Sequence, residues 1–209
     1  MKLDLRAEYK QLYNPPADRV SSVEVPPLLY LMVDGEGDPN TAPAWQEAME
    51  ALYGVSYALK FMSKRGPDAL DYTVMPLEGL WWSQDLESFS VEARGEWLWT
   101  AMIMQPPHIT QTMAEQAIAE TRRKKSALPS LDRLRLERYD EGLCAQVMHL
   151  GPYATEGPTI QRLHAWILDH GYEYRGAGKH HEIYLGDPRR TAPEKLKTVI
   201  RQPMRPRDA

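Results

Sequence analysis

The stretch of this sequence that says most about the fold is HHEIYLGDP, residues 180–188. Branched and aromatic residues followed by Gly-Asp-Pro are typical of a short strand that ends in a turn. Because side chains alternate across a strand, Glu182 and Tyr184 share one face. Ile183 and Leu185 share the other face, which is therefore a candidate for the core. The carboxylate is then solvated, salt-bridged or set in a cavity where it meets a ligand.

Length and composition indicate a protein with a sizeable core. The chain has 209 residues, of which 43% are hydrophobic and 26% are charged, as in ordinary globular proteins. The net charge of −4 argues against a general nucleic-acid binder. We therefore expect no direct nucleic-acid partner, and we interpret the four basic residues at 122–125 as a solvated helix end.

The cysteine content and the hydropathy pattern suggest a compartment. The single cysteine, Cys144, excludes an internal disulfide, fits a reducing environment and is interpreted as a small buried residue. No apolar run approaches the ~20 residues that a membrane helix needs, and the charged N-terminal residues do not form a signal peptide. We expect a cytoplasmic protein without a membrane partner.

The two halves of the chain repeat one order of elements. Predicted strands of the first half lie at residues 23–25, 28–33, 72–75, 80–82 and 97–104, the first two separated by Pro26-Pro27. Those of the second half lie at residues 134–138, 143–148, 172–174, around 182 and 198–201. In the first half a helix with Thr41 as its cap and Pro43 in its first turn is predicted to run to Lys64. In the second half Pro158 is predicted to open a helix that Gly171 ends.

This repetition predicts an α+β fold of two tandem strand–helix–strand–strand units with pseudo-two-fold symmetry. We predict an N-terminal lead-in over residues 1–22 and one domain over 23–204. The domain consists of repeats at about 23–108 and 131–204, joined by a helix at about 110–125. A cleft between two such halves is a natural site for a ligand.

Aromatic residues favour such a cleft. The chain has six Trp and 11 Tyr against two Phe, and both of the abundant types combine an apolar body with a polar end. Four tryptophans lie on two neighbouring predicted strands: Trp81, Trp82, Trp97 and Trp99. Alternation places Trp97 and Trp99 on one face, whereas Trp81 and Trp82 point in opposite directions. Core packing is the alternative interpretation of each.

Glu78 is a second acidic candidate, just ahead of the tryptophans. It is either solvated at a turn or faces the same cavity as Glu182. Two carboxylates in one aromatic cleft would repel each other and raise one pKa, which would provide an acid and a base near neutral pH. Glu96 is a third candidate, although alternation places it opposite Trp97.

Other chemistries have little support in the sequence. It contains no Walker motif, no dinucleotide fingerprint and no nucleophile elbow. His180 and His181 are adjacent on a strand, so at most one of them lies beside Glu182, and we expect neither a metal nor another cofactor. His164, on the stripe of the second helix, is interpreted as a hydrogen-bonded, partly buried side chain.

Several separated motifs resemble the GyrI-like small-molecule-binding family, in its stand-alone branch. In chain order they are YTVMPLEGLWW at 72–82, VMHLGPY at 147–153, EGPTI at 156–160, HEIYLGDP at 181–188 and PEKLKT at 193–198. The likeness covers most of the chain from about Val23 onward. It implies the effector-binding fold of two tandem units. It also implies an aromatic cleft whose central acidic residue is Glu182, with Tyr184 two residues on.

The resemblance leaves binding and catalysis open. A binding protein would take apolar, cationic or electrophilic compounds through one acidic and aromatic set: Glu182, Tyr184, Glu78, Trp81, Trp82, Trp97 and Trp99. Some stand-alone members with tryptophan-rich clefts are similar to detoxifying enzymes that hydrolyse the cyclopropane ring of DNA-alkylating natural products. In such a hydrolase Glu182 and Tyr184 would be the catalytic pair, with the carboxylate as general base.

A third function is a protein-interaction module, since another member of the family inhibits DNA gyrase. Such a module would meet a basic protein partner with the acidic loop at residues 34–38, and its cleft would be incidental.

Overall fold

A large antiparallel sheet forms the centre of the protein, shown by a computed structural model that describes residues 2–82, 97–125, 127–175 and 179–207. Within these residues the strands are β1 (Lys2–Leu3), β2 (Ser21–Val25), β3 (Leu28–Glu36), β4 (Asp71–Tyr72), β5 (Leu77–Trp82), β6 (Leu98–Gln105), β7 (Arg135–Tyr139), β8 (Gly142–Leu150), β9 (Tyr172–Tyr174), β10 (His180–Tyr184) and β11 (Lys197–Pro206). The α-helices are α1 (Leu5–Glu8), α2 (Lys10–Tyr13), α3 (Pro43–Arg65), α4 (Gln111–Lys124) and α5 (Gly157–Asp169).

The strand order of the sheet shows the internal symmetry. Along the sheet the strands follow β2-β8-β11-β10-β5-β6-β3-β7, and β9 adds to β11. The segment β8-β11-β10 has the same connectivity as β3-β6-β5, because in each a helix joins the first strand to the strand at the centre. The central pair β5–β10 therefore lies at a pseudo-two-fold axis. The predicted α+β fold of two tandem units is confirmed.

The two repeats exchange their leading strands. The first-half strand β2 pairs with β8 of the second half, and the second-half strand β7 pairs with β3 of the first. Each edge of the sheet is thus supplied by the opposite repeat, so the repeats are interlocked.

Helices α3 and α5 both cover the same face of the sheet, one over each repeat. The predicted stripe of α3 is buried at Trp45, Ala48, Leu52, Ser56 and Leu59. Its cap is Ala42, not the expected Thr41, and the helix begins at Pro43. In the second repeat α5 buries its apolar stripe, Leu163 and Ile167, in a small core with residues of β8 and β11.

The opposite face of the sheet is covered by the N-terminal segment. Leu5, Leu12 and Tyr13 are buried in the main core, and the backbone carbonyl of Leu12 accepts a hydrogen bond from Arg201 of β11 at 2.7 Å. The segment ahead of β2 is therefore packed against the sheet. The domain boundary at residue 22 stays a prediction.

Two strand boundaries differ from the expectation. The strand expected at residues 72–75 is only the short β4, which pairs in parallel with β1. The last strand was expected to end at Arg201, yet β11 continues to Pro206. Strand β11 pairs with β8 as far as Pro203 and with β9 from Met204 onward. At this change of partner, the Pro203 carbonyl accepts a hydrogen bond from the backbone N–H of Arg175.

In the described part of the chain, none of the helices has both the length and the apolarity needed to span a bilayer.

Candidate functional site

The two large helices leave the central strands between them. The main contacts of α3 are with β3 and β6 on the sheet, and those of α5 are with β8, β9 and β11. The strip of β5 and β10 at the pseudo-two-fold axis lies between these two contact zones. We call this region of the helical face, where the ligand cleft is predicted, the central cleft. Its floor consists of Gly79, Trp81, His180, Glu182 and Tyr184, which strand register and alternation place on one face.

Glu182 is the end of a hydrogen-bonded series on this floor. The Trp81 indole N–H donates to the Tyr184 hydroxyl oxygen at 3.0 Å, and the Tyr184 O–H donates to Glu182 Oε2 at 2.9 Å. The other carboxylate oxygen lies 3.5 Å from His180 Nε2, and the Glu182 side chain is 15% exposed. The structure thus brings Glu182, Tyr184 and Trp81 together, with the carboxylate oriented and still accessible.

Tyr184 is held as a neutral donor. Burial raises the pKa of its hydroxyl well above the usual value, and the negative charge of Glu182 raises it further. The phenol therefore keeps its proton, and donates it in the hydrogen bond to Glu182, at neutral pH.

Indoles in tilted and edge-to-face contact form one wall of the cleft. Trp45 of α3 lies 4.7 Å from Trp81 and 4.9 Å from Trp99 between ring centroids, and Trp97 lies 5.7 Å from Trp81. Trp99 is fully buried beneath the others. Trp82 lies on the opposite face of β5, where its ring packs under the Lys179 ammonium at 4.0 Å. The structure therefore gathers three of the four predicted tryptophans and leaves Trp82 apart. Of the three, Trp81 and Trp99 are packed in the core, which was the alternative interpretation, and Trp97 is partly exposed.

Two glycines make room for these indoles. A Cβ on Gly35 would lie 2.2 Å from the Trp99 ring, and a Cβ on Gly79 would lie 2.8 Å from the Trp81 indole nitrogen. A Cβ does not approach another heavy atom this closely, so a larger residue at either position would force the indole ring to move.

Glu156, in the turn ahead of α5, is an acidic residue of the site that sequence reasoning missed. It is 5% exposed, and its Oε1 has no hydrogen-bond partner among the described residues. Burial, followed by the negative charge of Glu182, raises its pKa to about 9, although a contact with Thr198 opposes the rise. In the sequence, a glutamate directly before Gly157 and Pro158 resembles an ordinary helix cap, so nothing marked Glu156 as a site residue. In the structure its side chain makes no capping hydrogen bond.

Histidines complete the wall beneath α5. Both ring nitrogens of His180 and Nε2 of His164 are buried without a hydrogen-bond partner in the described residues, and the two ring centroids are 6.5 Å apart. Burial lowers the pKa of His164 to about 4, so it is neutral at pH 7. As expected, His164 is partly buried and has a hydrogen bond, with Gln202, which opposes the fall of its pKa. Within the described residues, no group of three or more His, Cys, Asp or Glu side chains is arranged to hold a metal.

Glu78 does not face the cavity that was expected for it. It pairs in register with Ile183 and so points to the opposite face from Glu182, where it is fully buried. There it accepts a hydrogen bond from the Tyr13 hydroxyl at 2.7 Å and contacts His181 Nε2 at 2.9 Å. The reason is strand register, which places Gly79 rather than Glu78 beside Glu182. Glu96, the third candidate, lies outside the described residues.

The Glu78 contact belongs to a buried chain of charges. His181 Nδ1 lies 2.8 Å from Glu141 Oε1, and Arg201 donates to Glu141 Oε2 at 3.0 Å. Burial alone would raise the pKa of Glu141, but the charges of His181 and Arg201 outweigh it and lower the pKa to about 2. Burial would lower the pKa of His181, but Glu141 and Glu78 raise it to about 9. The negative charges of Glu78 and Glu141 are thus compensated by the positive charges of His181 and Arg201, on the face of the sheet opposite the cleft.

Comparison with known proteins agrees with the fold. The family model for the GyrI-like small molecule binding domain matches residues 19–205. The chain is similar to an uncharacterized conserved protein from Listeria innocua, at 39% identity over 97% of this chain and 100% of that one, with a TM-score of 0.88. No curated protein matches it.

Two further structures from Listeria innocua, each described as a hydrolase, are also similar. One is 38% identical over 98% of this chain and 100% of its own, with a TM-score of 0.86. The other is 36% identical over 97% of this chain and 100% of its own, with a TM-score of 0.83.

Proposed function

Because this chain belongs to the family of GyrI-like small molecule binding domains, we propose that its central cleft binds an apolar small molecule that carries a positive charge or an electron-poor carbon. The series from Trp81 through Tyr184 to Glu182 carries this proposal. It orients one carboxylate oxygen and leaves the side chain 15% exposed among aromatic rings.

The physical basis is a charge with little water around it. A carboxylate in a partly desolvated site attracts a cation more strongly than one in bulk water. Trp97 is partly exposed and can add cation–π attraction and apolar surface, and the nearly buried rings of Trp45 and Trp81 support it. A planar or compact cation therefore suits the cleft, and so does an electrophile with a positively polarised carbon.

We further propose that the same groups hydrolyse strained electrophiles. Glu182 would take a proton from water while the water oxygen bonds to a cyclopropane carbon. The ring C–C bond breaks, and a protonated side chain returns a proton to the group that receives the electron pair, so the net reaction adds one water. The similarity to two structures described as hydrolases supports this step, and cyclopropane-bearing DNA-alkylating compounds are the proposed substrates. Detoxification would be the result.

A protein-interaction module has less support. Its acidic loop at residues 34–38 is engaged within the molecule, because Asp34 binds Arg135 at 2.8 Å and Thr100 at 2.7 Å. Asp38 accepts hydrogen bonds within its own turn.

The binding proposal is tested with rhodamine 6G, a planar aromatic cation, by titration calorimetry. Glu182→Gln keeps the shape of the side chain and removes its charge. A charge-assisted contact is worth about 1.5–3 kcal/mol, so affinity should fall roughly tenfold to 150-fold. Glu24→Gln, an exposed glutamate of β2 in the same sheet, is the matched control and should bind normally. Equal affinity of Glu182→Gln and wild type would remove Glu182 from the ligand site.

The hydrolysis proposal is tested by incubation with a cyclopropane-bearing DNA-alkylating natural product, followed by mass spectrometry. The expected product carries one added water and is missing with Glu182→Gln. Tight binding without that product would leave the protein as a binding or sequestering module.

A further inference from the structure

The central cleft contains a second acidic residue, Glu156, which has no role in the proposed binding of a cation by Glu182. We infer that Glu156 is the hydrogen-bond donor of the central cleft, and that it selects ligands with a neutral carbonyl oxygen next to the electropositive part that faces Glu182. This inference rests on the proposed function of the cleft and names the class of ligand that the cleft prefers.

The position of Glu156 is the first argument. Its side chain is in the turn between β8 and α5 and is 5% exposed. Although it occupies the cap position of α5, it makes no capping hydrogen bond, and its Oε1 has no partner in the described part of the chain. A buried polar atom without a partner costs roughly 1–3 kcal/mol. Such a group calls for an explanation, and a ligand atom that completes the site would supply one.

The charges around Glu156 decide its protonation. The charge that acts on it is that of Glu182, and Thr198 contacts it. Glu156 in turn raises the pKa of the Tyr153 and Tyr184 hydroxyls. No cationic side chain of the described residues is among the causes of its shift. Burial and the charge of Glu182 raise its pKa to about 9. At pH 7 the carboxyl is therefore neutral and can donate a hydrogen bond.

A neutral donor beside a carboxylate defines a complementary ligand. An acceptor oxygen would receive the Glu156 hydrogen bond, while an electropositive atom faces Glu182. A ligand carboxylate does not fit, since the charge of Glu182 would repel it. A ketone, amide or enone carbonyl fits, because it accepts a hydrogen bond without carrying a negative charge.

The same arrangement supplies and removes the protons that the proposed hydrolysis requires. When water attacks a cyclopropane carbon conjugated to a carbonyl, the electron pair of the breaking C–C bond moves onto the carbonyl oxygen. Glu156 gives that oxygen its proton, and Glu182 accepts the proton that the water loses. The product gains one water, and the two carboxyls exchange protonation states until solvent resets them.

The test compares acridone with 9,10-dihydroacridine, which differ only in a carbonyl in place of a methylene. Wild type should bind acridone about twofold to tenfold more tightly, the range of one neutral hydrogen bond. Glu156→Ala should lose this preference, whereas Glu156→Gln, which keeps a neutral N–H donor, should retain it. Thermal unfolding of each variant confirms that it is folded.

The pH dependence gives the second readout. The preference of wild type should disappear as the pH rises through about 9, where Glu156 loses its proton. It should persist in Glu156→Gln, and in Glu182→Gln it should be lost at a lower pH, because the charge that raises the pKa of Glu156 is gone. An unchanged preference in Glu156→Ala, or no acridone binding by wild type, would overturn the inference. Rhodamine 6G separates the two failures, since normal rhodamine binding would leave the proposed function standing.

Discussion

At the residue scale, three glutamates, one partly exposed and two buried, have three different surroundings. Glu182 accepts a hydrogen bond from Tyr184 and remains in contact with the cleft. Glu156 has burial and a like charge beside it, which raise its pKa to about 9. Glu141 has two cations beside it, which outweigh burial and lower its pKa to about 2. One residue type thus provides an oriented acceptor, a neutral donor and a structural anion.

Glu156 should make the protein less stable as the pH rises. Its pKa is about 9 in the folded chain and 4.5 without burial, so between these values the unfolded chain loses the proton first. The free energy of unfolding should fall over this window, by at most about 1.4 kcal/mol per pH unit. Glu156→Gln should remove that part of the slope, as measured by urea unfolding at several pH values. Identical slopes in the two proteins would show that Glu156 is ionised at neutral pH.

The buried chain of charges should contribute strongly to stability. Glu141→Gln leaves His181 and Arg201 buried without their anion, and breaking such a pair costs about 3–5 kcal/mol. Glu137→Gln, which breaks an exposed pair with Arg135, should cost less than about 1 kcal/mol. Urea unfolding of both variants measures the contrast, and similar losses would contradict the structural role of the chain.

The pH limits of that chain follow from the same shifts. The pKa of Glu141 is lowered to about 2, so its contribution is present above 4.5 and is lost as the pH falls through about 2. The pKa of His181 is raised to about 9, so its contribution is complete below 6.5 and is lost as the pH rises through about 9.

Alternation along one strand was enough to predict that Glu182 and Tyr184 share a face opposite Ile183. It could not place Glu78, because that position depends on the register between β5 and β10, which are about a hundred residues apart in the chain. Glu156 escaped prediction for a related reason. Its surroundings come from three separate segments, and only the folded chain shows that the carboxyl is buried.

At the element scale, the aromatic wall depends on flat packing over β5. Gly79→Ala would place a Cβ 2.8 Å from the Trp81 indole nitrogen, so the indole must move and its hydrogen bond to Tyr184 should be lost. Overpacking of this kind costs about 1–3 kcal/mol, and rhodamine 6G should bind more weakly. Thermal unfolding and titration measure the two effects.

Gly66→Ala is the matched control, since its Cβ would meet neighbouring atoms only at 3.4 Å. It should change neither stability nor binding appreciably. If Gly79→Ala behaves like Gly66→Ala, the close approach of the Trp81 ring to the sheet is not needed for binding.

Periodicity predicted the helices well, because their stripes at Trp45, Leu52 and Ile167 match one buried face. The exchange of β2 and β7 between repeats was not predictable, since both strands look alike as short half-buried runs. Which strand each of them pairs with depends on packing between residues far apart in the chain, and a local sequence pattern carries no information about that packing.

At the scale of the whole molecule, the predicted boundary at residue 22 separates the segment ahead of β2 from the domain. Removal of residues 1–20 would delete Leu5, Leu12 and Tyr13 from the core and would take away one of the two partners of Glu78, the Tyr13 hydroxyl. Since each buried apolar side chain contributes about 1.5–3 kcal/mol, the shortened chain should unfold at clearly lower urea concentration. Unchanged stability would support a lead-in that is separate from the domain.

The interlocked repeats also explain why the cleft lies at the centre. Each repeat contributes one central strand, so the aromatic wall comes from the first repeat and the acidic and histidine wall from the second. One wall of the cleft is therefore apolar and the other polar, which suits a ligand with an apolar body and one polar edge.

The most direct measurement is a crystal structure of the protein with rhodamine 6G. We predict the dye between α3 and α5, with its ring system against Trp81 and Trp45 and its cationic group near Glu182. A dye bound elsewhere, such as on the acidic loop at residues 34–38, with the central cleft empty, would contradict the account.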